Sequence, residues 1–122
     1  MKKIVVGLIE PVKIIGKKEV STIAKIDTGA ARSCVDEKIA IEAGLGPVVK
    51  FVRVKSATTG NKPYVRRPVF KAKIEIGGKR FPTEVSIADR RRLKYKVLIG
   101  RDLIRSNFVV DVEHSHRTAR RN

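Results

Sequence analysis

The chain has 122 residues, of which 42% are hydrophobic, so it can bury one core of ordinary size but has little material for a second domain. Its 28 Lys and Arg against 12 Asp and Glu give a formal net charge of +16, which favours anionic partners such as RNA, a ribosomal surface or an acidic peptide. The lone Cys34 excludes a disulfide within the chain, and Glu10 and Pro11 interrupt the first apolar run far below the length of a signal peptide or membrane span. We therefore expect a cytoplasmic protein with no membrane partner.

Apolar and polar residues alternate with a period of two through most of the chain, which predicts β-strands. Strands are predicted at residues 3–9, 12–15, 19–26, 51–57, 64–76, 79–88, 96–100 and 107–112. Pro11 separates the first two strands, and Pro82 suits an exposed edge because proline cannot donate to a strand ladder. Glycine-containing tips at residues 60–61 and 77–78 predict two hairpins.

Two short segments depart from this alternation and predict helical structure. Residues 36–43 predict a helix that starts beside an acidic residue and ends at Gly44, and residues 100–105 predict a single helical turn. We therefore expect an all-β fold with one or two short helices, in one domain that spans residues 1–112. Residues 113–122 form a basic C-terminal tail without apolar periodicity, which we expect to be flexible.

The stretch AKIDTGA places a single aspartate, Asp27, between the end of a predicted strand and a glycine. Gly29 allows backbone N–H groups to approach the carboxylate, where a Cβ atom would collide. A second element, the apolar-apolar-glycine run at residues 98–100, follows much later in the chain. The two elements together are far less frequent by chance than an isolated Asp-Thr-Gly.

With these elements the chain resembles the retropepsin-like aspartic proteases, and within them the prokaryotic branch named ATP-dependent zinc proteases. The stretches that carry the resemblance follow in the family's order, at residues 24–30, 54–69, 77–90 and 97–112. The resemblance implies a closed acid-protease barrel. It also implies a homodimer, because one chain supplies only one of the two aspartates that the reaction needs. In that dimer Asp27 would meet its symmetry mate, and the pair would activate water to hydrolyse a peptide bond.

The resemblance also assigns roles to individual residues. The catalytic roles fall on Asp27, Thr28 and Gly29, and the Thr28 hydroxyl would form a hydrogen bond across the dimer axis. The structural brace beside the catalytic loop consists of Leu98, Ile99, Gly100 and Arg101. The substrate-binding residues lie on that loop and on a flap formed by the 51–69 hairpin, and they are Ala30, Arg32, Lys55, Ser56, Ala57 and Arg66.

Cations cluster on the predicted flap and beside the aspartate, at Arg32, Arg53, Lys55, Lys62, Arg66 and Arg67. A cleft with this charge should prefer an acidic peptide. The resemblance agrees, since members of this branch are associated with ATP-grasp glutamate ligases and with the trimming of glutamate tails on ribosomal proteins. The expected partners are therefore a second copy of the chain, an acidic peptide or protein, and a ribosome, RNA or ATP-grasp ligase. No cofactor or metal is expected, because HExxH and CxxC motifs are absent from the sequence.

Two interpretations without catalysis stay open. A basic β-barrel that binds RNA or the ribosome fits the net charge, although the four Phe and two Tyr residues lack the spacing of a stacking platform. A non-catalytic partner of an ATP-grasp ligase fits the same fold, and Asp27 would then be a turn residue. Cys34 is expected to be a small buried hydrophobe, since His114 and His116 lie in the predicted tail. The basic run at residues 89–96 is expected to be a solvated connector.

Overall fold

The computed structural model describes residues 2–55 and 64–114. The strands of this part of the chain are β1 (Ile4–Val6), β2 (Ile9–Ile15), β3 (Glu19–Ile26), β4 (Cys34–Asp36), β5 (Val48–Lys55), β6 (Tyr64–Ile76), β7 (Lys79–Ala88), β8 (Val97–Ile99) and β9 (Phe108–Val110). The helices are α1 (Glu37–Ala43) and α2 (Arg101–Ile104). The predicted all-β fold with two short helices is confirmed.

Six of the strands close into a barrel. They run in the order β2-β3-β8-β4-β7-β6, and β6 also pairs with β2, which joins the two ends of the sheet. Strand β5 pairs with β6 and extends the sheet as one arm of a hairpin. Strands β1 and β9 form a separate parallel pair beside the barrel. The closed-barrel expectation is therefore confirmed as well.

The barrel interior is filled almost entirely by aliphatic side chains. In β2 the burial alternates residue by residue, so that Val12 and Ile14 face inward as the period of two requires. Ile74 and Ile99 are fully buried beside them. Leucine, isoleucine, valine and alanine make up most of the core, as the scarcity of aromatic residues in the sequence predicts.

Helix α1 begins and ends where the sequence predicts. Asp36 is the N-cap, and its carboxylate accepts a hydrogen bond of 3.2 Å from the backbone N–H of Lys38. Gly44 ends the helix with a φ of 67°, a left-handed conformation that glycine adopts without a steric penalty. Both caps use residues that the sequence alone identifies as helix boundaries.

Some strand boundaries differ from the prediction. Pro11 lies inside β2, opposite Ile23, rather than between two strands. The position tolerates proline because β2 pairs with β6 only through residues 13–15, so Pro11 has a strand neighbour on one side alone. Strand β4 was not predicted, and β5 begins at Val48 rather than at residue 51. No helix among the described residues is long and apolar enough to cross a membrane.

Candidate active site

Asp27 directly follows strand β3, and the neighbouring strand β8 holds its backbone. The Asp27 N–H donates to the carbonyl of Ile99 at 2.8 Å. The N–H of Gly29 donates to Asp27 Oδ1 at 2.9 Å, and a Cβ atom at Gly29 would lie 3.2 Å from that oxygen. The loop therefore holds a half-buried carboxylate through its own backbone, and glycine provides the close approach.

The apolar-apolar-glycine element lies against this loop. Leu98 and Ile99 belong to β8, which pairs in parallel with the end of β3. A Cβ atom at Gly100 would lie 2.7 Å from the carbonyl carbon of Arg32 and 2.9 Å from the carbonyl oxygen of Ala30, so only glycine fits. The two segments of the chain are therefore in backbone contact.

Arg101 ties the same two segments together by hydrogen bonds. Its backbone N–H donates to the carbonyl of Ala30 at 2.8 Å. Its guanidinium Nη1 donates to the carbonyl of Thr28 at 3.0 Å. Ile99, Gly100 and Arg101 thus contact the backbone of the loop that begins at Asp27, and Leu98 pairs with Lys25 at the end of β3.

Ser33 and Asp102 form a partly buried junction that sequence reasoning missed. Ser33 is fully buried, and its hydroxyl donates to Asp102 Oδ1 at 2.8 Å. The same hydroxyl oxygen accepts from the N–H of Gly100 at 3.0 Å. The Ser33 N–H lies 3.0 Å from both carboxylate oxygens of Asp102. The Asp27 loop and the residues predicted as its brace are therefore joined by a side-chain network as well as by backbone contact.

A cavity of about 780 Å³ opens beside the Asp27 loop. The loop contributes residues 29–32 to its lining, strand β5 contributes residues 52–55, and the barrel contributes Cys34, Arg67, Ser86, Arg90 and Leu98. Five of these residues are cationic, and none of the lining residues within the described chain is acidic. The guanidinium of Arg53 packs over the ring of Tyr64 at 4.9 Å, and the other four cations are Arg32, Lys55, Arg67 and Arg90.

The cavity contains only part of the predicted substrate-binding set. Ala30, Arg32 and Lys55 line it. Arg66 does not, and its guanidinium lies 4.7 Å from the ring centre of Phe51. Ser56 and Ala57, together with the predicted flap tip at residues 60–61, lie outside the described residues.

The structure also locates Thr28, Cys34 and Arg90, which the sequence analysis named. Thr28 is exposed on the loop. Cys34 is buried, as expected for a small hydrophobe, and it also lines the cavity. Within residues 2–55 and 64–114, no three His, Cys, Asp or Glu side chains are grouped so that they could hold a metal ion. Arg90 lies in the predicted connector, where its charge alone did not distinguish it from its neighbours.

A closed six-stranded barrel, with an Asp-Thr-Gly loop braced by Leu98, Ile99 and Gly100, defines a retropepsin-like fold. The chain belongs to the RimB-like family, described as retropepsin-like aspartic endopeptidase RimB, whose model matches residues 36–121. The matched segment includes the brace and begins after Asp27. The finer assignment to the branch of ATP-dependent zinc proteases stays a prediction.

Solved structures share this fold. The Legionella pneumophila protein Lpg0085, of unknown function, is 22% identical with a TM-score of 0.67, over 96% of this chain and 99% of that one. The EIAV protease complexed with the inhibitor HBY-793 is 18% identical with a TM-score of 0.62, over 79% and 83%. The retroviral protease-like domain of Ddi1 from Leishmania major is 19% identical with a TM-score of 0.52, over 81% and 75%. A search of curated proteins gives no match.

Proposed function

We propose that the protein is an aspartic endopeptidase whose catalytic pair consists of Asp27 and the same residue of a second copy of the chain. The observation that carries the proposal is the hydrogen bond from Gly29 N–H to Asp27 Oδ1, in a braced loop beside a cavity. Two carboxyl groups held about 3 Å apart cannot both ionise, so they share one proton. One then accepts a proton from water while the other donates one to the scissile carbonyl.

A dimer is needed because the chain contains one Asp-Thr-Gly sequence. Support for a dimer comes from apolar side chains that the described fold leaves exposed around the β1–β9 pair. Val5 and Val109 face each other in register and are 48% and 49% exposed. Leu8 and Val112, just beyond the two strands, are also exposed. We propose that this surface, made of Val5, Leu8, Val109 and Val112, lies in the dimer interface.

The proposed substrate is an acidic peptide, including glutamate-rich tails on ribosome-associated proteins. The cavity beside Asp27 has cationic side chains from three parts of the chain, at Arg32, Arg67 and Arg90. Opposite charge across a binding surface provides specificity more than raw affinity. A glutamate-rich peptide should therefore be selected over the corresponding glutamine peptide.

A second candidate function is binding of RNA or a ribosomal surface without catalysis, which the net charge of +16 favours. The two candidates separate in one experiment. Wild type and Asp27→Asn are incubated with an oligo-glutamate peptide and assayed for cleavage, and RNA binding is measured at two salt concentrations. Asparagine keeps an oxygen that can accept the Gly29 N–H, so the variant should fold.

The endopeptidase proposal predicts cleavage by wild type and none by Asp27→Asn. Salt-sensitive RNA binding that is equal in both proteins, with no cleavage by either, would support the second candidate instead.

A further inference from the structure

The basic run at residues 89–96 is a largely exposed loop, as expected of a connector, and hydrogen bonds join its two ends. Lys96 Nζ donates to the carbonyl oxygens of Arg90 at 3.1 Å, Arg91 at 2.6 Å and Leu93 at 2.8 Å. An ammonium group has three hydrogens, so these three carbonyls can use them all. Through these hydrogen bonds, Lys96 at the C-terminal end of the loop holds the backbone of its N-terminal half.

Hydrogen bonds fix both the backbone and the side chain of Arg90. Its backbone N–H donates to Asp36 Oδ1 at 2.6 Å, which attaches it to the start of helix α1. Its Nε donates to the carbonyl of Tyr95 at 3.0 Å. No hydrogen bond joins either terminal guanidinium nitrogen to another residue of the described chain. A guanidinium held in this way can present its terminal nitrogens to a carboxylate as a bidentate fork.

The cations of this loop differ in where they lie. Arg90 lines the same cavity as Gly29 and Arg32. Arg91 forms an ion pair with Asp89 at 3.3 Å, and Arg92 is exposed; neither lines that cavity. One cation of the loop therefore lies at the cavity wall, and its neighbours provide controls of equal charge.

We propose that Arg90 is a specificity-determining residue that binds an acidic side chain of the substrate, and that Lys96 is the positioning residue that fixes Arg90. The proposal rests on the proposed function, whose site it deepens. The loop is ordered before the substrate arrives, so less conformational entropy is lost when the carboxylate binds. A charge-assisted, bidentate contact of this kind should favour the acidic peptide by about 10- to 100-fold over its neutral counterpart.

The test measures peptide binding without cleavage, because it uses the Asp27→Asn protein. An oligo-glutamate peptide and its glutamine counterpart are titrated against the Asp27→Asn protein, with and without Arg90→Ala or the charge-matched control Arg92→Ala. Arg90→Ala should weaken binding of the acidic peptide about 10- to 100-fold and leave the glutamine peptide within about threefold. Arg92→Ala should change neither by more than about threefold.

Equal losses in the two variants, equal losses for the two peptides, or no binding of the acidic peptide to Asp27→Asn would each overturn the role of Arg90. A selective loss in Arg90→Ala supports it even if wild type cleaves neither peptide. In that case the endopeptidase proposal alone fails.

The role of Lys96 needs a measurement that a purely structural residue would not affect. Lys96→Met should raise KM for the acidic peptide and leave kcat nearly unchanged, whereas Lys94→Met should alter neither. Because Lys96 acts through Arg90, the double variant Arg90→Ala/Lys96→Met should bind the acidic peptide no more weakly than Arg90→Ala alone. Additive losses, or a fall in kcat at constant KM, would overturn the role of Lys96. The non-additivity is read from binding, so it does not depend on cleavage.

Discussion

Replacing Ser33 by alanine should destabilise the fold and disturb the loop that carries Asp27. The variant loses a hydroxyl that donates to Asp102 and accepts from the buried N–H of Gly100. An unsatisfied buried donor costs about 1–3 kcal/mol, and a hydrogen bond to a charged group contributes about 1.5–3 kcal/mol. Asp102 keeps its bonds from the N–H groups of Ser33 and Leu103, so the losses do not add in full. We expect the free energy of unfolding to fall by about 2–3 kcal/mol.

Urea unfolding of Ser33→Ala measures this loss, and Ser86→Ala is the matched control. Ser86 is also buried, but its hydroxyl donates to the carbonyl of Ser33, which already accepts from the Ser86 N–H. The control should therefore cost only about 0.5–1.5 kcal/mol. If the two variants are equally stable, the junction between Ser33, Asp102 and Gly100 is not what holds the loop. A shifted loop should also lower kcat, by up to about 100-fold if Asp27 moves by about 1 Å.

Three further predictions concern the brace, the surface charges and the interface. Gly100→Ala should lower the free energy of unfolding in urea by about 1–3 kcal/mol, because the added Cβ atom would collide with the backbone of Ala30 and Arg32. Unchanged stability would refute the close contact. The hydrogen bond and charge of Lys50 lower the pKa of Glu84, so Lys50→Met should destabilise slightly at neutral pH, and this effect should be lost as the pH falls through that lowered pKa and the carboxylate is protonated; an effect that does not change with pH would contradict this. Val109→Asp should lower the mass in sedimentation from dimer to monomer, whereas Ile41→Asp, at an exposed position of α1, should not.

Elements with strong local signals could be predicted from the sequence. Strands β3, β6 and β7 alternate over eight or more residues, and α1 has recognisable caps at both ends. Strand β4 has only three residues, all of them buried, so no alternation reveals it. The sequence predicts a boundary at Pro11, because proline cannot donate to a strand ladder; β2 tolerates it there because no strand pairs with β2 on one side at that residue, which only the tertiary structure shows.

In the candidate site, too, some contacts could be predicted from the sequence and others could not. Asp27 and Gly29 are neighbours in sequence, so the hydrogen bond between them could be predicted from the motif alone. Ser33 and Asp102 are 69 residues apart, and their contact exists only after β3, β8 and β4 have paired. Arg90 is one of several similar cations in its loop, and only its place at the cavity wall distinguishes it. The cations predicted at the cleft include Arg32, Arg53, Lys55 and Arg67, which do line the cavity, but no feature of the sequence was a reason to add Arg90 to them.

The pairing of Asp27 with its own copy is tested most directly by mixing subunits. Wild type and Asp27→Asn are unfolded together, refolded at varied ratios, and assayed for cleavage of an acidic peptide. If each active site needs an intact aspartate from both chains, activity follows the square of the wild-type fraction, so an equal mixture retains about a quarter of the activity. An equal mixture that retains about half would show that one chain suffices, which contradicts the shared pair.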